Sequence, residues 1–562
     1  MRKGFKAFTL VGTVAMAMAV SVSATLACTS LVLPPGSTVD GSSITTHNAD
    51  SGQTPYEMWK VPAAKYEPGT MVDVPYIPQT TRGLMNSRAG YPQETGNLIP
   101  QVEETYGYIK SGIFGYVNEM GVGIGETTIS GRRELRNNEG YFDITNLSML
   151  GLERGATARE TIQVMGDLAV KYGYSDGGEE LSVIDGKEAW IFEIVGPGAL
   201  WSVGDETPGA YWVAQRVPDG HIAASANNSV IDAIEWDNPE YFMYSDGILE
   251  YAQEQGWWSP DSGKAFSWRS DFVKSTSAWN CCRRVWRVMN LANPDLVLDE
   301  TNLPFSVPVK EKLSLQDALE IHRDHYDGTP YDQHEGIGAG PWKNPRRFKG
   351  TIKADGKSYS FQRMISVQQC EYLTMVQCRE NVADELKGLL WYSPVCPDAS
   401  WMLPLYASLP ELHPTYNVDG GDHYIFTRES MRWAVGALST YINIKYEPMY
   451  ADMSAVRDKY EGAAFRNQAA IEKAATELLA KDKEAGMAFL VNYTNGLVES
   501  YLDAIWDTID MLIAKYDMGF VNDGVRFQGK GYPQEWVDLV FEHAYGTTDI
   551  RGWEVTGWGK TI

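Results

Sequence analysis

Cys28 lies directly after a segment with the features of a signal peptide. Three of the first six residues are basic, residues 8–22 are mostly apolar, and Ala27 is a small residue of the kind that precedes a signal-peptidase cleavage site. Cleavage after Ala27 would make Cys28 the first residue, with a thiol and a free α-amine on the same residue. The sequence therefore places a nucleophile and a base at one position.

These two groups suit acyl-transfer chemistry. Reference pKa values are about 7.7–8.0 for an α-amine and about 8.5 for a cysteine thiol, so both groups titrate near neutral pH. An N-terminal Cys activated by its own amine is a recognised covalent nucleophile. The alternative is a lipoprotein cysteine that is acylated and anchored. Thr25 occupies the position where such signals usually carry Leu, and Leu26 falls one residue late, so the match to a lipoprotein signal is poor. The N-terminus alone leaves a nucleophile, an anchor and a structural cysteine open.

The residues after Cys28 have the pattern of a β-hairpin. Residues 29–33 and 43–47 are β-rich runs, and Asp40-Gly41 between them is a turn signal. A hairpin centred near Val39 pairs positions whose numbers sum to 78, so it would place Asp50 opposite Cys28, where a carboxylate could orient the ammonium and the thiol. The alternative role for an Asp after a strand is to cap a turn.

Motifs in a consistent order run along most of the chain. They are CTS (28–30), DGSSI (40–44), HNADS (47–51), GVGIGETTI (121–129), LERGATARE (152–160), WVAQRVPD (212–219), SAN (225–227), RDHYDGTP (323–330), GLLWY (388–392) and FLVNYTN (489–495). Together they resemble the cysteine dipeptidases of the N-terminal-nucleophile class, of the dipeptidase A type. The penicillin V acylases and bile salt hydrolases are more distant relatives in this resemblance.

The resemblance implies a fold and an active site. It implies an α+β fold, an αββα sandwich of antiparallel sheets with helical insertions, and a hydrolase that requires no metal or organic cofactor. Asn227 matches the Asn whose side-chain amide serves the oxyanion hole of the acylase relatives; without the resemblance, an Asn after a strand suits a turn. A backbone N–H near Thr128 is the candidate for a second donor, and Asn228 is the neighbour that could be mistaken for the first. The acylases carry Arg where this chain has His47, so a guanidinium near the thiol is missing or comes from elsewhere.

Composition is consistent with an exported enzyme. At 562 residues and 44% hydrophobic residues, the chain can bury a large core as one large domain or two closely packed ones. A formal net charge of −25 argues against a nucleic-acid partner, because such binding depends on Lys and Arg that neutralise phosphates. After the signal peptide, no apolar run is long enough to cross a bilayer. The five cysteines beyond Cys28 leave any disulfide pairing unreadable, and the oligomeric state is equally unreadable.

Local patterns predict the elements that position these residues. Asp185-Gly186 and Asp219-Gly220 each mark a turn between two β-rich runs, and residues 157–172 have a helical pattern. Helices are also predicted over 462–484 and 487–515. In the second of these, an apolar stripe faces a core and is formed by Val498, Leu502, Ile505, Ile509 and Leu512.

The chain divides into three predicted parts. Residues 1–27 are the signal peptide, 28–520 the peptidase domain, and 521–562 a C-terminal extension. Within the domain, the Trp-rich segment of about 232–315 is interpreted as an insertion of helices and loops that could wall the substrate cleft.

Three other groups of residues could carry chemistry but have simpler interpretations. His322 and His325 lack the spacing or the cysteines of a zinc site, which favours a solvated helix end. Arg346 and Arg347 could bind a substrate carboxylate or lie on the surface. The pair Cys281-Cys282 is expected to be buried or strained, with no base nearby.

The sequence thus favours an exported dipeptidase, in the periplasm or the medium, that acts on small peptides. Cys28 would attack the peptide carbonyl, its α-amine would take up the proton, Asp50 would fix that amine, and Asn227 would stabilise the oxyanion. One alternative is an amide hydrolase that acts on N-acylated amino acids or penicillin-like substrates. The other is a lipid-anchored binding protein acylated at Cys28.

Overall fold

The computed structural model describes residues 28–544, except 52–53, 80–89, 130, 276–278, 349–351, 355 and 419–424. The predicted signal peptide and its cleavage site lie outside the described residues, as do residues 545–562 of the predicted C-terminal extension. A search of the described helices finds none with the length and apolar character needed to cross a membrane.

Antiparallel strands form two large sheets and, within the described ranges, four two-stranded ones. In chain order the strands are β1 (Ser30–Leu33), β2 (Ser43–Asn48), β3 (Met58–Val61), β4 (Ala64–Lys65), β5 (Met71–Asp73), β6 (Leu98–Pro100), β7 (Glu104–Thr105), β8 (Tyr108–Ser111), β9 (Gly115–Asn118), β10 (Gly123–Ile129), β11 (Gly178–Ile184), β12 (Ala189–Val195), β13 (Tyr211–Arg216), β14 (His221–Ser225), β15 (Phe242–Tyr244), β16 (Ser306–Pro308), β17 (Ile352–Ala354), β18 (Lys357–Tyr359), β19 (Tyr372–Cys378), β20 (Gly388–Pro394), β21 (Leu403–Tyr406), β22 (Val521–Asn522) and β23 (Phe527–Gln528).

Helices of very different length surround the sheets. They are α1 (Ile144–Arg154), α2 (Ala158–Tyr172), α3 (Ile248–Glu254), α4 (Trp279–Ala292), α5 (Leu315–Arg323), α6 (Met431–Ile442), α7 (Tyr446–Leu479), α8 (Lys483–Lys515) and α9 (Gln534–Ala544). Caps define several ends: the side chain of Thr157 accepts from the Glu160 N–H before α2, and that of Asp482 accepts from the Ala485 N–H before α8.

The two large sheets pack face to face. The seven-stranded sheet has the order β16-β14-β1-β2-β19-β20-β21, and the eight-stranded sheet has the order β15-β13-β12-β11-β10-β9-β8-β3. Strands β1, β2 and β19 contact β10 and β11 across the interface. Helices α1 and α2 pack on the eight-stranded sheet, while α4, α6 and α8 pack on the seven-stranded one. The predicted α+β class is confirmed, and the layers follow the order helix–sheet–sheet–helix.

Strand β1 shows how the two cores divide. Leu31 and Leu33 belong to the core that the seven-stranded sheet shares with α4, α5 and α8, whereas Cys28 and Val32 belong to the core that includes the eight-stranded sheet. Successive side chains of a strand point to opposite faces, so this alternation follows from the geometry of β1. Cys28 therefore faces the space between the two sheets.

The two sheets approach each other closely at Gly125 of β10, which lies against β2. A Cβ atom at Gly125 would lie 2.6 Å from Ser182 Oγ and closer still to the carbonyl oxygen of Thr46. A side chain there would push the sheets apart, because the nearest atom belongs to backbone and cannot rotate away.

We expect Gly125→Ala to lower the free energy of unfolding by about 1–3 kcal/mol, the usual cost of overpacking a core. Gly131→Ala is the matched control, since its Cβ would meet Val273 Cγ1 at 3.6 Å, an ordinary contact. Urea denaturation of both variants measures the difference. Equal stability of the two variants would contradict the close approach of the sheets.

The two predicted turns have different outcomes. Asp185-Gly186 joins β11 to β12 as an antiparallel hairpin with Ile184 opposite Ala189, as predicted. Asp219-Gly220 instead connects β13, in the eight-stranded sheet, to β14, in the seven-stranded sheet. The same turn sequence can therefore lead either to a hairpin or to a crossing between layers, because the choice depends on which neighbours each strand finds.

The predicted helices are present with different bounds. Helix α2 begins one residue after Thr157, and four members of the α8 stripe are buried while Leu502 is partly buried. Helix α7 starts at Tyr446, well before the predicted residue 462. The Trp-rich segment is more than helices and loops, because it also supplies β15 and β16, edge strands of the two large sheets.

Candidate active site

Cys28 is fully buried two residues before β1, and the β1–β2 pairing differs by one residue from the predicted one. Thr29 pairs with Asn48 across the β1–β2 hairpin, so Cys28 lies level with Ala49 and not with Asp50. A slip of one residue moves a side chain to the other face of a strand. Asp50 still reaches the site, because it follows the end of β2 and its backbone N–H donates to the Cys28 sulfur.

The environment of Cys28 disfavours a free thiolate. Burial raises the pKa of the thiol well above its ordinary value, and the carboxylates of Glu126 and Asp50 raise it further. The backbone N–H of Asp50 and the guanidinium of Arg363 act in the opposite direction. A proton acceptor next to the sulfur is therefore needed before this thiol can act as a nucleophile.

Asp50 is a buried carboxylate with one oxygen engaged. Its Oδ2 forms an ion pair with Arg363 Nη2 at 2.8 Å. Within the described residues its Oδ1 accepts no hydrogen bond from a nitrogen or oxygen donor, although the Cys370 thiol lies beside it. Burial raises the pKa of Asp50 to about 6, while Arg363 and Arg284 lower it. The carboxyl is therefore mainly ionised at neutral pH.

His47 belongs to a chain of polar side chains close to the Cys28 sulfur. Its Nδ1 lies 2.8 Å from the Tyr116 hydroxyl, which donates to the Tyr372 hydroxyl at 2.8 Å. Its Nε2 lies 3.2 Å from Glu126 Oε2. Donor atoms of Cys28, His47 and Glu126 lie within 4.8 Å of one another, so these three side chains could also hold a metal ion.

Asn227 adopts a left-handed backbone conformation, with a φ of 68°. Asn tolerates this region better than most residues, which is one reason for Asn at the end of β14. Its Nδ2 donates to the Thr128 carbonyl at 2.9 Å, and its Oδ1 accepts from Arg284 Nη2 at 2.9 Å. These two contacts fix the orientation of the side-chain amide. The adjacent Asn228 instead directs Nδ2 toward the Ser229 carbonyl at 3.4 Å.

Arg284 of α4 connects Cys28 to Asn227. Its Nη1 donates to the Cys28 carbonyl at 2.6 Å and to Thr29 Oγ1 at 2.9 Å, and its Nη2 also donates to the Ala226 carbonyl at 3.0 Å. Burial lowers the pKa of Arg284 to about 10, which keeps the guanidinium charged at neutral pH.

The guanidinium groups near the thiol thus come from elsewhere in the sequence. Arg284 lies in the Trp-rich segment and Arg363 before β19, and neither was among the predicted site residues. The sequence signal was His47, which stands where the acylase relatives carry Arg, so the guanidinium had to come from another element. Glu126 was missed as well, although it lies within the motif at 121–129.

Other residues considered from the sequence have structural roles. His322 is buried and its Nε2 lies 2.7 Å from Thr46 Oγ1, so the predicted solvated helix end is wrong for it. Arg346 is buried in an ion pair with Asp398 at 2.9 Å and lies neither on the surface nor at Cys28. Cys281 and Cys282 are buried as expected. All six cysteines lie in the described part of the chain and are free thiols.

Comparison with known proteins places this site in context. The profile of Peptidase family C69 matches residues 27–459. A probable dipeptidase of Latilactobacillus sakei is 24% identical over 510 residues, which cover 87% of this chain and 95% of that protein. Probable dipeptidase B of Lactococcus lactis subsp. lactis (strain IL1403) is 25% identical over 51% of this chain and 55% of its own length. Dipeptidase A of Lactobacillus helveticus is 25% identical over 45% of this chain and 48% of its own length.

Proposed function

This chain belongs to peptidase family C69, and from that premise we propose that it is an exported dipeptidase with Cys28 as its nucleophile. The substrate class is taken from the relatives, which are named dipeptidases. One observation carries the proposal: the buried Cys28 thiol lies beside Asp50, while Arg284 ties the Cys28 backbone to the Asn227 amide. The layered sheets and helices agree with a sandwich of the N-terminal-nucleophile class.

Removal of residues 1–27 would complete this site. It would leave an α-amine on Cys28, beside the carboxylate of Asp50. Asp50 Oδ1 would accept a hydrogen bond from the resulting ammonium, while Oδ2 stays on Arg363. Export would thus supply the base that the buried thiol lacks, because the amine titrates near neutral pH.

The reaction then follows from these positions. The α-amine takes the thiol proton, and the thiolate attacks the scissile carbonyl to form a tetrahedral intermediate. The ammonium returns a proton to the leaving amine as the peptide bond breaks, which leaves an acyl thioester on Cys28. Water, deprotonated by the same amine, hydrolyses the thioester and restores the thiol.

Asn227 would stabilise the oxyanion of both tetrahedral intermediates. A side-chain amide nitrogen carries two hydrogens. The amide of Asn227 is held on the Thr128 carbonyl, and in this proposal it also donates to the oxyanion. Thr128 would then position Asn227 through its carbonyl, and Arg284 would hold the amide oxygen on the opposite side. The donor is fixed in advance, which is what makes such a group effective.

We expect Asn227→Gly to lower kcat and kcat/KM together by about 10²–10³-fold, with little change in KM. Glycine removes the amide and still adopts the positive φ, so backbone strain does not contribute as it would for Ala. The pH profile should stay unchanged, since no titrating group is removed. Asn228→Ala is the matched control and should retain activity. A raised KM with normal kcat would instead identify Asn227 as a substrate contact.

The substrate class is tested with the purified mature protein on free dipeptides, the same dipeptides after N-acetylation, and penicillin V. We expect hydrolysis of the free dipeptides. Activity confined to the acylated compounds would identify an acylase and refute the dipeptidase. The complete burial of Cys28 argues against the lipid-anchored alternative. If the sulfur carried a lipid, Cys28 would have to leave the core for that lipid to reach a membrane.

A further inference from the structure

Three side chains with metal-ligating atoms meet in the loop after α5, outside the site around Cys28. Donor atoms of His325, Asp327 and His334 lie within 4.8 Å of one another. His334 Nδ1 is 3.0 Å from Asp327 Oδ1 and 3.4 Å from Asp332 Oδ1. Two imidazoles and up to two carboxylates therefore converge, although the two histidines are nine residues apart in the chain.

The Nε2 atom of His325 lacks the hydrogen-bond partner that a buried structural histidine usually has. Its side chain is 96% buried, yet within the described residues its Nε2 makes no hydrogen bond. The nearest carboxylate oxygen, Asp398 Oδ2, is 3.8 Å away and already accepts hydrogen bonds from Arg346 and the Tyr446 hydroxyl. A buried ring nitrogen without a partner is costly, which makes a ligand at this ring favourable.

Solvent can reach the cluster. His325, Asp327 and His334 all lie in the wall of a cavity of 590 Å³ whose lining also includes Arg287 and Tyr450. Asp327 and His334 are partly exposed, while His325 forms the buried end of the cluster. A hydrated ion could therefore enter from the cavity and exchange its water for these side chains.

We propose that His325, His334 and Asp327 bind a divalent transition-metal ion, for which Zn²⁺ is the best match. Imidazole and carboxylate donors suit this borderline ion, and a site with three protein ligands keeps one position for water or for Asp332. Bonds of about 2.0–2.2 Å to Zn²⁺ place tetrahedral donors about 3.3–3.6 Å apart. The donors of the cluster already lie within 4.8 Å of one another, so a modest closure suffices.

The ion would stabilise a loop that supports the site around Cys28. Tyr326 lies between two of the ligands, and its hydroxyl donates to the carbonyl of Arg363 at 2.6 Å. Arg287 holds the same loop through the Asp324 carboxylate and the carbonyl of Asp327. The role assigned to the metal is thus structural, and the assignment does not depend on the proposed peptidase activity.

The test is calorimetric titration of the chelator-treated, full-length mature protein with ZnCl₂. We expect one Zn²⁺ per chain, at least tenfold weaker binding in His334→Ala and in Asp327→Asn, and a Zn²⁺-dependent rise in Tm that both variants lose. His413→Ala is the matched control, because His413 is also partly exposed beside a single carboxylate, that of Glu499. It should bind Zn²⁺ as the wild type does.

A competing site is tested in the same way. Cys28, His47 and Glu126 also present donors, so the titration is repeated with Cys28→Ala and with Co²⁺, whose spectrum reports thiolate ligation. Retained binding in Cys28→Ala with no thiolate band supports the histidine site. Absence of Zn²⁺ binding by the wild type, unchanged affinity in His334→Ala, or loss of binding in Cys28→Ala alone would overturn the proposal.

Discussion

Replacing Cys28 with Ala should lower kcat for a dipeptide by about 10⁴–10⁶-fold, the loss seen when a covalent nucleophile is removed. The protein should still fold and be exported, because Ala fits the core beside Val32 and suits a signal-peptidase site. The measurement is initial-rate kinetics on purified protein, with near-UV circular dichroism to confirm folding. Intact mass would show whether residue 28 is the first residue and is unmodified.

Cys378→Ala is the control for loss of a buried thiol. Cys378 lies at the end of β19, opposite Gly388, and its sulfur is close to Gly123 and not to Asp50. We expect this variant to keep near-normal kcat. If Cys28→Ala retained a near-normal rate, or if Cys378→Ala lost as much activity, the proposed nucleophile would be wrong.

Asp50→Asn should lower kcat/KM by about 10²–10⁴-fold, the range for loss of acid–base function. The change keeps the shape of the side chain but removes the charge that pairs with Arg363 and would hold the Cys28 ammonium. In the wild type, the acidic limb of the pH–rate profile should report the α-amine, which acts as a base only when deprotonated, while Asp50 is already ionised there because burial raises its pKa only to about 6. In the variant this acidic limb should move to lower pH, because the pKa of the α-amine falls when the stabilising charge is absent.

The control is Asp143→Asn. Burial raises the pKa of Asp143 to about 7, but this residue caps α1, away from Cys28, and Asn can also cap a helix. Its pH–rate profile should match that of the wild type. An acidic limb at the same pH in Asp50→Asn and in the wild type would show that Asp50 does not stabilise the group that titrates there.

The raised pKa of Asp50 also predicts that the stability of the protein depends on pH. Because the pKa of Asp50 is raised in the folded state, that state binds the proton more tightly than the unfolded chain between about pH 4 and pH 6. The contribution of Asp50 to the free energy of unfolding should therefore fall by about 3 kcal/mol as pH rises through this range. Urea denaturation of wild type and Asp50→Asn at each pH measures the effect, because the α-amine and the Cys28 thiol, whose pKa values the substitution changes, both stay protonated between about pH 4 and pH 6.

The sequence by itself determined the family, the position of Cys28 before a β-hairpin and most of the secondary structure. The resemblance read from the ordered motifs is confirmed by the family profile. Local signals suffice for these secondary-structure elements. Alternation of apolar and polar residues, turn dipeptides and helix caps each depend on only a few neighbouring residues. The hairpin at Asp185-Gly186 and helix α2 after Thr157 are examples. The predicted pairing of Cys28 with Asp50 differs by only one residue from the observed register, in which Cys28 lies level with Ala49. A turn signal locates a hairpin to about that precision.

Only the tertiary structure decided which distant residues surround Cys28. Arg284 and Arg363 follow it by more than 250 positions, and nothing local in their sequences indicates that they reach the first strand. Their charges are brought there because α4 packs on β14 and the chain before β19 passes the end of β2. The cluster of His325 and His334 arises in the same way, from a loop that folds back on itself. Such contacts depend on the packing of whole layers, so residue spacing along the chain does not reveal them.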